Sequence, residues 1–246
     1  MTHGNDKKIS GMNIDKLKEA RSSQVLTELP IPIKELCDRY EQLFTAAVND
    51  VLREHNLLHQ TLPHDIMPLR ETTKVAGIAF TVKGSKSLLV KDEMKERVEL
   101  LDSITEDSVI AWDTSNDDEC AQWGEVMTMA AVRKGCRGAV VDGGVRDTDR
   151  VLSQDFPIFV KYRSSNGMLG RFRITGWQEP IQIGNVFINP GDLIFGDIDG
   201  VIVVPRALAY EVLLRAEEIK ESETYIKRWI LEGMPAKEIV KKGGYF

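Results

Sequence analysis

Glu125, Arg146 and Asp147 stand in one dense stretch, WGEVMTMAAVRKGCRGAVVDGGVRDTDRV (123–151), and their types suit chemistry on an oxygen-rich anion. Arginine offers a planar, permanently charged fork that matches a carboxylate or an enolate. Aspartate is a hard oxygen ligand suited to Mg²⁺ or Mn²⁺. Glu125 follows Gly124 at the start of a predicted helix, whose first-turn N–H groups, among them those of Val126 and Met127, have no partner inside the helix and can grip a carboxylate or phosphate. Gly124 would let such a group approach closely. A plainer reading stands beside this one. Glu125 is favourable to a helix dipole in any role, Asp147 could simply cap the helix TDRVLSQ, and Arg146 could form a surface ion pair.

The elements around these residues must hold them together. The apolar run at 138–142 predicts a buried strand that ends at Asp142 in a Gly143-Gly144 turn, and ligands of α/β proteins gather at the carboxyl ends of strands. A helix over 124–134, closed by Gly135, precedes it, and a short helix begins near 148. Further strands are expected at 74–84, 108–113 and 157–161. Helices are expected at 13–26 and 33–58, where Leu36, Tyr40, Leu43, Ala47, Val48, Val51 and Leu52 recur at three- and four-residue spacing. TLPHDIMPL is a loop. After 170, Ile, Val and Phe runs alternate with Gly, Asn and Pro, so several short strands follow, including a Pro-Gly turn, a strand, an Asp-Gly turn and a strand in PGDLIFGDIDGVIVVP. A long helix over 206–232 closes the pattern. We read an α/β chain: an N-terminal helical extension over 1–40, its first residues polar and mobile, and one domain over 41–246 that includes the C-terminal helix.

The bulk composition narrows the classes of function. The chain has 246 residues, 42% of them hydrophobic, and a net charge of −6. That length builds a full core. The acidic balance argues against a nucleic-acid or anionic-membrane surface, and no run approaches the ~20 apolar residues of a membrane helix. The N-terminus lacks the apolar centre of a signal peptide. Cys37, Cys120 and Cys136 are odd in number and far apart, which implies neither a disulfide framework nor a zinc motif; a cytoplasmic setting is expected. His55, His59 and His64 carry a spacing that could bind zinc, but without the acid of a metalloprotease motif they read as a solvated helix end. The acidic loop 113–119 lacks the spacing of a calcium loop. No glycine-rich nucleotide or S-adenosylmethionine motif is present. Trp112, Trp177 and Trp229 read as core or interface aromatics.

Glu125, twenty residues, then Arg146-Asp147 resembles the signature of the class II pyruvate aldolases related to 4-hydroxy-4-methyl-2-oxoglutarate aldolase. The same family includes the RraA-type regulators of ribonuclease E and was long labelled dimethylmenaquinone methyltransferase-like. FTAAVNDVL, VAGIAFTVKG, GCRGAVVDGGVRD, FPIFVK and PGDLIFGDIDGVIVVP match it in order, over about 44–235. The resemblance implies an RraA-like swivelling β/β/α domain with helical arms, assembled as a trimer or a hexamer with active sites between subunits. It implies that Arg146 binds the C2 oxygen of a pyruvyl unit, that Asp147 anchors Mg²⁺ or Mn²⁺ partly through waters, that Glu125 assists through a bound water, and that Gly124 and the Val126 and Met127 amides receive the pyruvyl carboxylate. It implies too an acid from a neighbour's C-terminal helix, for which Glu223 has about the right separation, with Glu218 and Glu221 near it. The activity implied is cleavage of 4-hydroxy-4-methyl-2-oxoglutarate or 4-carboxy-4-hydroxy-2-oxoadipate to pyruvate, with oxaloacetate decarboxylation beside it. The alternatives are a non-catalytic regulator binding ribonuclease E and a sugar-acid lyase. Arg70, Lys83 and Arg163 are the candidates for reading the substrate's far end.

Overall fold

The computed structural model describes residues 14–22 and 27–244. Helices α1 (Ile14–Ser22), α2 (Ile33–Tyr40) and α3 (Thr45–Glu54) lead into strands β1 (Met67–Pro68) and β2 (Val75–Lys86). Then come α4 (Glu93–Ser103), β3 (Ser108–Asp113), β4 (Ala121–Trp123), α5 (Glu125–Arg133), β5 (Gly138–Val145), α6 (Thr148–Leu152) and β6 (Ile158–Arg163). Strands β7 (Phe172–Trp177), β8 (Ile181–Ile183), β9 (Val186–Ile188), β10 (Leu193–Asp197) and β11 (Gly200–Val204) follow, and α7 (Ala209–Leu231) and α8 (Ala236–Lys241) close the described chain. The mobility expected of residues 1–11 falls outside the described residues.

The fold is mixed α/β. One nine-stranded sheet runs β1-β6-β5-β3-β2-β10-β11, with β4 beside β5 and β7 beside β2; β8 and β9 form a separate hairpin. The four strands β2, β3, β5 and β6 are parallel, and the helices between them supply the crossovers that parallel pairing requires. Alternation along them sorts the core into two faces. Ile110, Trp112, Ala139 and Val141 pack toward the side that carries α5. Val109, Ala111, Val140 and Phe159 pack against the β8–β9 hairpin. A third cluster joins α2, α3 and α7 to β10 and β11 through Leu36, Val48, Phe195 and Val212.

Three sequence expectations are corrected. The helix expected over 33–58 is two helices, broken at Glu41–Phe44. Asp197 at the end of β10 accepts hydrogen bonds from the Thr45 backbone N–H and hydroxyl, each 2.8 Å, so a partner far along the chain supplies the cap of α3. The Gly143-Gly144 pair is not a turn: β5 continues through it to Val145. A Cβ on Gly143 would lie 2.3 Å from Gln122 Oε1 and one on Gly144 2.4 Å from the Tyr162 ring. Close packing, not chain reversal, requires glycine there. The helix of 206–232 begins as a 3-10 turn, Arg206–Leu208, before α7. The double turn of PGDLIFGDIDGVIVVP is present as the β10–β11 pair, with Asp197 opposite Gly200.

Candidate active site

The parallel order β6-β5-β3 brings the carboxyl end of β5 beside β4, and β4 leads directly into α5. The start of α5 is tied to its surroundings by several contacts. Trp123 is buried, stacks on Phe156 with centroids 5.9 Å apart, and donates its indole N–H to Thr128 Oγ1 at 2.8 Å. The Thr128 hydroxyl in turn donates to Gly124 O. The Arg146 backbone N–H donates to Trp123 O at 3.0 Å, which pins the end of β5 to the start of α5. The helix has no side-chain cap at Gly124. Its first backbone bond is Thr128 N–H to Gly124 O, so the N–H groups of Val126 and Met127 find no carbonyl within the helix.

Gly124 to Met127, Arg146 and Asp147 line one cavity of about 570 Å³. Its other walls are Met94, Arg97, Val98 and Leu101 of α4 and the loop of Gly167, Met168, Leu169 and Arg171. Arg146 Nε lies 3.5 Å from Asp147 Oδ2, and both side chains are partly exposed. Two glycines make room for this pair. A Cβ on Gly124 would lie 3.1 Å from Asp147 Oδ2 and 3.2 Å from Arg146 Cγ, and a Cβ on Gly167 would lie 2.7 Å from Arg146 Nη1. The backbone of Gly124 is extended, so space rather than conformation calls for glycine there.

Asp147 occupies the N-cap position of α6 but makes no side-chain cap bond, and its backbone is left-handed with φ 53°. Aspartate tolerates that conformation better than most residues. The plain reading of Asp147 as a helix cap therefore fails, and its carboxylate is available to the cavity. Glu125 Oε2 accepts a hydrogen bond from Arg150 at 3.1 Å, so the second acid is oriented from α6. Among the described residues no three His, Cys, Asp or Glu side chains converge as a cage. The donor set instead fits a hard cation that takes one or two carboxylates and keeps several waters, as Mg²⁺ does. Asp147 and Glu125 are the carboxylates of this cavity that could hold one.

Glu223 is not brought to this cavity within one chain. It accepts from Lys227 at 2.7 Å and lines a different hollow, with Glu54 and Arg215. Of the three candidates for the far end of a substrate, Arg70 is bound to Asp155 at 2.7 Å in another depression. Lys83 pairs with the buried Asp113 in a hollow of about 710 Å³ walled in part by the β8–β9 hairpin. That hollow is the larger, but it contains neither Arg146 nor a helix start. Arg163 alone shares a hollow with Arg146 and Asp147. Sequence reasoning missed α4, Gly167 and Arg171. The only local signal was Gly167 in SSNGMLG, whose neighbour Arg146 is distant in sequence.

A family model described as RraA-like, Aldolase/RraA, matches residues 45–203. A Halalkalibacterium halodurans protein named "Putative 4-hydroxy-4-methyl-2-oxoglutarate aldolase" is 30% identical over 80% of this chain and 90% of its own length. Protein DlpA of Legionella pneumophila is 32% identical over 68% of this chain, which spans only 27% of that protein; a Methanocaldococcus jannaschii relative is spanned to 58%. A crystal structure described as novel cellulases from microbes associated with the gut ecosystem is 54% identical, with a TM-score of 0.83, covering 87% of this chain and 96% of that one.

Proposed function

Since this chain belongs to the aldolase/RraA family, we propose that it is a divalent-metal-dependent lyase. It cleaves 4-hydroxy-4-methyl-2-oxoglutarate or 4-carboxy-4-hydroxy-2-oxoadipate-type 2-oxo acids to pyruvate and decarboxylates oxaloacetate. The observation that carries this reading is the convergence, in one cavity, of a helix start with free amides, a cradled guanidinium and two carboxylates. A surface that only binds a ribonuclease has no need of that set.

In this reading the Val126 and Met127 N–H groups receive the C1 carboxylate, where the helix start favours negative charge. Arg146 donates to the C2 oxygen. Mg²⁺ or Mn²⁺ held by Asp147 would polarise the 2-oxo group. The C4 hydroxyl loses its proton, with Glu125 as the acceptor reached through water. The C3–C4 electron pair then passes to the pyruvyl half, C4 becomes a carbonyl, and the first product leaves. Negative charge grows on the C2 oxygen, which the Arg146 guanidinium would stabilise. Protonation of C3 completes pyruvate. Glu223 of a neighbouring protomer would complete the site in a homotrimer or hexamer.

Cellulose hydrolysis is not favoured by this cavity. It needs two carboxyls free to flank one glycosidic bond, and here both are ion-paired, Glu125 with Arg150 and Asp147 with Arg146.

The test is pyruvate release from these substrates and oxaloacetate with Mg²⁺ or Mn²⁺ and with EDTA. Release with metal that stops in chelator is expected. Undiminished turnover in chelator would remove the metal from the mechanism.

A further inference from the structure

We infer that Arg163 reads the far end of the substrate, which must then carry a second carboxylate on the half that leaves; this rests on the lyase reading above. Arg146 and Asp147 line two hollows. Beside the cavity of about 570 Å³ lies a shallower one of about 370 Å³. The first contains the free amides of α5 and so takes the pyruvyl half. Away from Arg146 much of its wall is hydrocarbon, from Met94, Val98, Leu101 and Leu169. Its Arg97 is committed to Glu93, which is buried. A carboxylate pressed on that wall would lose its water without gaining a partner.

The second hollow has the opposite character. Thr148, Ser164, Ser165 and Arg163 line it together with Arg146 and Asp147. Strand pairing sets Arg163 opposite Val145, the residue before Arg146. Among the described residues no acid pairs with Arg163, whereas Arg70, Arg97 and Arg150 each have one. Its fork is open to a carboxylate, and hydroxyls flank it. A substrate broken beside Asp147 would lie with its pyruvyl half at α5 and its carboxylated, hydroxyl-bearing half across Asp147 against Arg163. The competing cation is Arg171, at the rim of the first cavity, which donates to Gly167 O at 3.4 Å.

Two substrates separate these cases: 4-hydroxy-4-methyl-2-oxoglutarate, with the second carboxylate, and 4-hydroxy-2-oxopentanoate, without it. In Arg163→Ala the preference for the first, as a ratio of kcat/KM values, should fall about 10- to 100-fold through KM, the usual effect of losing a charge-assisted bond. Arg163→Lys should recover part of it. Parallel losses on both substrates, no loss, or a selective loss in Arg171→Ala instead would overturn the assignment. If the wild type releases pyruvate from neither, the lyase reading fails, and calorimetry still decides Arg163. With Mg²⁺ present, 2-oxoglutarate should bind at least about tenfold tighter than pyruvate, and Arg163→Ala should erase the difference. Equal binding by the wild type would overturn the inference.

Discussion

Asp147 is a half-exposed carboxylate in a left-handed backbone, with no helix cap to make. Substituting Asn keeps the backbone preference and removes the charge. Asp147→Asn should therefore melt near the wild-type temperature while its Mg²⁺ affinity, by titration calorimetry, falls at least about tenfold; unchanged affinity would take Asp147 out of the metal site. Asp147→Ala is the poorer test, because alanine in that conformation costs about 1 kcal/mol of its own. On the far face of the sheet Asp142 is buried 2.5 Å from Lys161 Nζ. Burial pushes its carboxyl above the usual range, against the pull of Lys161. A raised acid favours the fold while protonated, and that contribution is lost as pH rises from the unfolded value through the folded one. The melting-temperature difference between Asp142→Asn and wild type should accordingly shift in the variant's favour as pH rises from about 4. A pH-independent difference would deny the shift.

At the scale of elements, the site is the junction of β4, α5, the end of β5 and the loop after β6. Much of that junction was legible in the sequence. The Gly124 start of α5 could be placed because it depends on local periodicity and adjacent residues, and Arg146-Asp147 could be placed beyond the strand of 138–142, though not directly on its end. What could not be read were dependences on distant partners. Asp197 caps α3 from the other end of the domain. Gly143 and Gly144 serve Gln122 and Tyr162. Helix α4 offers only Glu93 and Leu100 as buried residues, too few for a periodic stripe. Gly167 is the clearest case, since its role is the room it leaves for Arg146. A methyl there would meet the end of a flexible side chain, so Gly167→Ala should fold normally but displace the guanidinium and lower kcat by about 10- to 100-fold. Gly144→Ala should do the reverse. Its methyl would meet Tyr162 and the Cys120 carbonyl, at 2.8 Å, and should cost about 1–3 kcal/mol of stability. Equal effects of the two on kcat and melting temperature would deny the division between site and scaffold.

At the scale of the whole molecule, α7 carries its C-terminal turns away from the core, with Tyr225, Ile230 and Leu231 exposed. No described helix is long and apolar enough to cross a membrane. Exposed apolar side chains on such an arm are what subunit contacts cover, and the proposed use of Glu223 in a neighbour's site requires that contact. Light scattering should find a trimer or hexamer as the active species. Glu223→Ala should lose at least about tenfold in kcat without a change in melting temperature, because among the described residues of its own chain it pairs only with the exposed Lys227. A fully active monomer would refute the shared site.

The central claim is that Arg146 holds charge that develops as the carbon–carbon bond breaks. The measurement closest to it is kcat for pyruvate release from 4-hydroxy-4-methyl-2-oxoglutarate, in saturating Mg²⁺, for the wild type and Arg146→Lys. Lysine keeps the charge and loses the planar fork. We expect a well-folded variant with kcat reduced on the order of 10²-fold or more, the scale of a lost oxyanion donor. Wild-type turnover by Arg146→Lys would contradict the account.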